Sequence, residues 1–594
     1  MRSHGFHLPA PAEARARLRH AALLIVLAAA IFVTAGHYFG AGPDYTYLVG
    51  GLRLADPTLL SRDWFSTLPT YTPVFASLTA VLSRILPMPV AWALLHAAAV
   101  LTILLAVRSL HTRLGAGPTA LVFFVVASLR WDSKLVGGHA FWFNEVHPQA
   151  LSQVALITAI AAFLAGRPRA AAVAAGIGTL LHPPMGLAVG GLLAVGILRE
   201  RRRHGGIALA QAGAIFALLA LPVVLYLAAF ERDAGPVPDG TFLAMARMRL
   251  PHHFFPSTWP LEGWLGLGGL VVLFFASLRE VADRELADRS RLLVVGLLGL
   301  LGASFLCVEV WPVTLVAKFQ LARLTVFLRF LCILTASVWI TRNLGSASRV
   351  RAGESLALLA ATLGPHLAAL SVLVSASRAA GSVAKRTLAA IGLAALVAAL
   401  AWRPAAGLLA LLPLMLLLDA GLRRSHWAQR RCAILAAVWL AVLFGLWAKQ
   451  LDPAFRLEWT GRHDEFARAG EWIRSNTPRD VLFLSPPELG GFCFFSQRAT
   501  VVDFHRNPFS EGAIVEWRRR LAELIAAPVL DCQGLGECNR LLERFSGLPA
   551  GGYERLAGRY GAEYLLVRRR DDLPFRRLYR NRGFDVYVLP GARR

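Results

Sequence analysis

The residues best suited to chemistry in this chain lie just beyond the ends of apolar runs. Asp44 follows the first such run by a few residues, beside Tyr45 and Tyr47, with Pro43 fixing the chain ahead of it. A carboxylate there suits a general base acting on an acceptor hydroxyl, or a metal ligand. An Asp after Gly-Pro equally suits the start of a helix. Asp63, in SRDWF, is the second acid and stands among Trp64 and Phe65, residues of an interfacial aromatic belt. A second polar loop, RWDSKLVGGHAFWFNEVHPQ, holds His139, Glu145 and His147. These are ligand-type groups, but they lack the helical i, i+4 spacing of a zinc protease, and His147 before Pro148 also fits a helix start. His182, in HPPM, sits at the tip of an apolar hairpin, where it either lines a cavity or caps a Pro-Pro break. Lys318, Gln320 and Arg323 lie where an outer segment enters a span. Cations at that depth suit the phosphates of a lipid carrier, with snorkelling to headgroups as the competing use. His252 and His253, in PHHFFP, face the same side, and nothing local assigns them a task.

The elements that must position these groups are membrane spans. Of 594 residues 56% are hydrophobic and 17% charged, and the mean hydropathy is +0.53. A soluble chain carries about 25% charged residues. The shortfall comes from long apolar runs such as 21–39, 207–230 and 432–447, each near the length that crosses hydrocarbon. The net charge is +25, from 62 Lys and Arg against 37 Asp and Glu. Its arginines cluster in short loops between apolar runs, which is the positive-inside pattern and excludes nucleic acid as the natural reading. Arg far outnumbers Lys, as in a GC-rich bacterial genome. The basic stretch 15–20 followed by a full-length apolar run reads as an uncleaved first span with a cytoplasmic N-terminus.

Further runs fall at 91–107, 119–129, 151–164, 170–181, 186–198, 264–278, 292–308 and 324–340, and again at 355–374, 387–400, 407–418 and 432–447. The run 74–85 is too short to cross and reads as an interfacial helix. Basic flanks at 378–386 and 423–431 both belong in the cytoplasm, which requires an even number of crossings through 355–374 and sends the last span outward. From about residue 451 the pattern changes. EFARAGEWIRSN and 511–525 are amphipathic helices, while VLFLSPP, ATVVDF, AEYLLVRR and FDVYVLP read as strands. The expected fold is therefore mostly α, a polytopic helical bundle of about 11–13 spans over 1–450, with a soluble α/β domain over 451–594 on the periplasmic side of a bacterial inner membrane. Cys532 and Cys538 lie in that domain. They are a disulfide candidate if it faces an oxidising compartment and otherwise two free thiols. Cys493 reads as a core residue.

Several of these pieces together resemble the GT-C superfamily of integral-membrane glycosyltransferases, which use polyprenyl-phosphate-linked sugars. In that superfamily the first span leads into a long outer loop with an acid close behind it, interfacial helices follow, and many members end in a periplasmic α/β domain. Asp44, the loop 41–73, the run 74–85 and the domain after residue 451 match this plan. A closer resemblance, to a bacterial polytopic membrane family of unassigned activity related to GT-C, rests on LADPTLLSRDWF, YTPVFASL, LLHPPMGLAVGG, and EWIRSNTPRDVLFLSPP followed by SQRATVVDFHRNPF. The resemblance implies a lipid-linked sugar donor, membrane lipids as surroundings, and a glycan, lipid or protein acceptor. It makes Asp44 and Asp63 catalytic candidates, with Asp44 as base. It gives donor or acceptor binding to His139, Glu145, His147, His182, Lys318, Gln320 and Arg323. No acidic pair surrounds Asp44, which favours a lone acid acting without metal and leaves a divalent cation open. A transporter or flippase of envelope precursors is the main alternative, and a non-catalytic assembly scaffold the third.

Overall fold

The computed structural model describes residues 11–40, 42, 44–130, 136–138, 140–232, 237–238, 240–344, 464–528 and 530–591. The runs expected at 355–374, 387–400, 407–418 and 432–447 lie outside the described residues, and with them the even-crossing argument.

The chain is a mostly helical, multi-pass membrane protein with a C-terminal sheet domain. Its first part runs α1 (Pro11–Ala35), α2 (Asp44–Ala55), α3 (Trp64–Thr67), α4 (Pro73–Ile85), α5 (Met88–Arg113), α6 (Pro118–Arg130), α7 (Pro148–Leu164), α8 (Pro168–Leu181), α9 (Pro183–Arg199) and α10 (Arg201–Arg232). It continues with α11 (Thr241–Arg249), α12 (Pro251–Phe254), α13 (Leu261–Leu278), α14 (Arg284–Phe305), α15 (Thr314–Lys318) and α16 (Thr325–Leu344). Each of α4 to α9 carries a proline in its first turn, where the missing N–H has no partner to lose. Among the described residues, five helical stretches are long and apolar enough to cross a membrane: Met88–Arg113, Arg201–Ala229, Leu261–Leu278, Arg284–Val310 and Thr314–Asn343. The last is 94% buried and forms the centre of the bundle, whereas Arg201–Ala229 is 17% buried and presents its side chains outward, as a lipid-facing helix does.

The stretch 41–73, expected to be a loop, holds α2 and the short α3, and α4 follows where the interfacial helix was expected. α2 packs on α4 so closely that a Cβ at Gly51 would lie 2.3 Å from Thr79 Cβ.

The C-terminal part comprises α17 (Glu465–Asn476), β1 (Leu482–Leu484), α18 (Phe492–Ser496), β2 (Ala499–Thr500), α19 (Glu511–Leu524), α20 (Gly534–Leu542), α21 (Ala550–Tyr560), β3 (Tyr564–Arg568), β4 (Arg576–Arg580) and β5 (Phe584–Val588). The sheet order is β2-β1-β3-β5-β4, with β1 parallel to β2 and β3, and β5 antiparallel to β3 and β4. Four strands follow the apolar runs; β4, RRLYR, has no apolar alternation and forms because an edge strand needs a partner on one side only. The domain does not hang free. Its apolar core is continuous with that of the spans, and Phe494 meets Phe39 edge to face at 6.0 Å. Cys493 is buried at the junction, and Cys532 and Cys538 are joined as a disulfide.

Candidate functional site

The site is built around the first turn of α2. Asp44 opens that helix; its side chain lies outside the described residues, as does His139. Glu145 comes to the same place from the loop before α7. Gly42, at φ +47°, has no Cβ, and one built there would lie 3.0 and 3.1 Å from the two carboxylate oxygens of Glu145. An acid about a hundred residues away in sequence thus stands beside the segment that carries Asp44. Tyr47, one turn further along α2, shares a hydroxyl–hydroxyl hydrogen bond with Tyr71 and stacks its ring on His147, 6.4 Å between centroids. His147 also caps α7, accepting from the Ala150 N–H at 3.3 Å. The helix-start reading of that histidine is the one the geometry shows.

Arg323 stands on a short 3-10 turn between α15 and α16. The turn is set by Gln320, which adopts a left-handed backbone at φ +52°. Arg323 Nη1 donates to Gln320 Oε1 at 2.5 Å, and Nη2 donates to His253 Nε2 at 2.9 Å. His253 Nδ1 in turn donates to the Gly137 carbonyl at 3.0 Å, so this imidazole is neutral with its proton on Nδ1. Among the described residues, the Nε–H of Arg323 is buried without a hydrogen-bond partner and no carboxylate pairs with this guanidinium. Its charge is felt at Tyr47, Tyr71, His147 and His182. His182, 1% exposed at the break between α8 and α9, thereby joins the same cluster.

Two expected residues are committed elsewhere. Lys318 pairs with Glu511 of the C-terminal domain at 3.4 Å and lies over the Phe242 ring. Asp63 is 1% exposed. Its Oδ2 accepts from the Ser66 N–H at 2.8 Å, capping α3, and from Arg506 Nη1 at 3.0 Å, while Oδ1 faces Cys493 and the Thr500 N–H. A carboxylate so enclosed holds the C-terminal domain to the membrane part and has no room for a substrate.

The residues that the C-terminal domain adds to this region carry no local mark in the sequence. Thr46 donates to the His505 carbonyl at 3.4 Å, and Tyr71 packs on Phe509 at 4.1 Å. Arg249, the last residue of α11, donates from Nε to the Phe504 carbonyl at 3.2 Å, and its Nη2 lies 3.2 Å from His505 Nδ1. Burial pulls its pKa down to about 10, and His505 is held down at about 4, by burial first and by the neighbouring Arg249 charge second. Asp503 beside them is pushed up to about 6 by burial, against the pull of Arg506. Among the described residues no three His, Cys, Asp or Glu side chains converge as a metal site.

A domain of unknown function (DUF6798) matches residues 464–524, the α17-to-α19 part of the C-terminal domain. A search of the curated proteins finds no match. Among solved structures the chain is similar to the arabinosyltransferase EmbB from Mycobacterium smegmatis, at 16% identity and a TM-score of 0.38, over 77% of this chain. It spans only 43% of the length of that protein.

Proposed function

We propose that this chain is an integral-membrane glycosyltransferase that moves a sugar from a polyprenyl-phosphate carrier to an envelope acceptor, working on the outer face of a bacterial inner membrane. The observation that carries this reading is Arg323: a deeply placed guanidinium whose partners among the described residues are neutral, facing tyrosine and histidine side chains beside the Asp44 turn. Keeping a cation out of water without an acid is costly, and such a site is relieved when an anion binds. A lipid phosphate supplies that anion through the guanidinium fork.

In the reaction the acceptor hydroxyl gives its proton to Asp44 and its oxygen attacks the anomeric carbon. The bond from that carbon to the phosphate oxygen breaks, its electron pair leaves with the phosphate, and Arg323 stabilises the charge that develops there. The configuration at the sugar inverts. Glu145 and His147 orient the reactants, His182 lines the floor, and the C-terminal domain closes the side toward Tyr71. This scheme needs no metal. EDTA should leave turnover unchanged, and a loss restored by a divalent cation would assign one to Asp44 and Glu145.

The test is turnover of a panel of short-chain polyprenyl-phosphate sugars by the purified full chain in nanodiscs. Arg323→Gln should cost on the order of 10²–10³ in rate with folding intact, and Asp44→Asn should abolish transfer. An active wild type with an unaffected Arg323→Gln removes the site assignment. Movement of the carrier across the bilayer without transfer would support the transporter reading instead.

A further inference from the structure

A polar side chain inside a helical bundle costs stability unless it is bonded, and α7 carries one whose amide is left open. Residues 149, 152, 153 and 156 recur at helical spacing and share one face of α7. That face is turned to α8. Ser152 donates to the Gly178 carbonyl at 2.8 Å, and a Cβ built on Gly178 would lie 2.7 Å from Leu156 Cδ2. Gln153 donates to the Phe141 carbonyl, also at 2.8 Å. α7 and α8 run antiparallel across the turn 165–167, so one helical turn toward His147 sets Gln149 beside the end of α8, where His182 stands. Gln149 is 3% exposed and His182 1%. Among the described residues, Gln149 Nε2 and His182 Nδ1 both lack a hydrogen-bond partner.

His182 also begins α9, and α9 packs on the 3-10 turn that carries Arg323. The Nε of that arginine is buried and open in the same way. The three groups ask for different partners. The guanidinium suits an anion. A carboxamide nitrogen donates without a charge, and an imidazole nitrogen donates or accepts according to its tautomer. A hydroxyl, which donates and accepts at once, serves both. A sugar joined to a phosphate carries hydroxyls and an anion a short, fixed distance apart, and so satisfies all three groups together.

We infer that Gln149 and His182 form the subsite for the transferred sugar, each bonded to a ring hydroxyl while the phosphate lies at Arg323. This rests on the proposed function, which puts the carrier phosphate there, and it names the residues that select the sugar. Gln149 sets the specificity, because a site built to bond a hydroxyl rejects the analogue that lacks it: the amide is then left buried and open.

Binding to the full chain in nanodiscs tests the inference without need of an acceptor. The probes are farnesyl phosphate and the farnesyl-phosphoryl forms of glucose, galactose, mannose and arabinose, each sugar beside its single-deoxy analogues. For the sugar bound most tightly, the wild type should bind one deoxy analogue about tenfold more weakly than the parent. Gln149→Met should weaken the parent by about the same factor and leave that analogue and farnesyl phosphate unchanged, while Arg323→Gln should weaken every probe. Since Gln149 Nε2 gives up no bond, the variant should keep its thermal midpoint; if it does not fold, Gln149→Ala replaces it with the same expected pattern. Equal weakening of all probes, farnesyl phosphate included, or a parent sugar unaffected by either variant, overturns the subsite and leaves the amide to a buried water. The phosphate site at Arg323 then still stands if Arg323→Gln weakens binding. Binding of no probe by the wild type overturns the proposed function, and this inference with it.

Discussion

Arg323 and His505 show how burial assigns a task that residue type alone leaves open. A guanidinium held among neutral partners lowers stability, so replacing it with an apolar side chain of similar size should relieve the fold even as it removes the proposed anion site. Arg323→Met is expected to be neutral or stabilising by up to about 4 kcal/mol, read as the thermal midpoint in detergent, with transfer lost. A marked fall in the midpoint would mark Arg323 as structural. His505 and Asp503 give a pH signature with opposite signs. His505 is depressed to about 4 from an ordinary value near 6.5, so its contribution to stability is present above pH 6.5 and is lost as pH falls toward 4. Asp503, raised to about 6 from 3.8, contributes in the other sense and gains as pH falls from 6 toward 3.8. His505→Asn removes only the first. Between pH 6.5 and 4 the variant should therefore lose less stability than the wild type, and parallel stability curves for the two proteins would contradict the assignment.

Among the elements, α2 matters most, because its first turn carries Asp44, Thr46 and Tyr47 and its position is set by contact with α4. Gly51 lies at that contact. A Cβ there would meet Thr79 Cβ at 2.3 Å and the Ala76 carbonyl at 2.9 Å, and a backbone oxygen cannot turn aside as a side chain can. Gly50, its neighbour, has nothing within 4 Å of the same construction. Gly51→Ala should push α2 from α4, costing about 1–3 kcal/mol of stability and, on the proposed function, a further loss of about 10²-fold in turnover as Asp44 is displaced. Gly50→Ala should change stability by less than about 0.5 kcal/mol. Equal behaviour of the two variants would show that the α2–α4 contact does not position the site.

At the scale of the whole molecule, the membrane part and the C-terminal domain are joined by charge as well as by packing. Asp63 and Arg506 form an ion pair whose side chains are 1% and 2% exposed, and Arg506 Nη2 also donates to Ser66 at 2.7 Å. Removing one partner strands the other charge in the interior. Asp63→Leu or Arg506→Leu alone should cost about 3–5 kcal/mol, whereas the double replacement should recover most of that loss. Limited proteolysis reads the effect: the single variants should release the C-terminal domain early, and the double variant should resist. Early release from the double variant would show that the charges hold the junction beyond their own desolvation cost. The expectation that Asp63 takes part in catalysis gives way here, because every oxygen of that carboxylate faces a donor from the junction.

Local pattern determined a good deal. Apolar run length placed α4 to α10, α13, α14 and α16 to within about eight residues, because a span must satisfy its own backbone hydrogen bonds and so is written in consecutive residues, whereas α11 and α12 fall in a stretch that reads as loop and α15 carries no apolar run of its own. The same holds for α17 and for four of the five strands, whose apolar periodicity is a local property; β4, charged and at an edge, carries no such mark. The candidate residues were legible as a set of polar groups at the ends of spans, since ionisable side chains are too costly there to be incidental. Which of them meet was decided only by tertiary structure. Glu145 approaches Gly42 across a separation that no spacing rule spans, and Lys318 and Asp63 are drawn away to Glu511 and Arg506. Arg249 enters the site because a domain more than two hundred residues later supplies the carbonyls that hold it. Burial, pairing and charge compensation are properties of surroundings, and for these residues the surroundings come from distant parts of the chain.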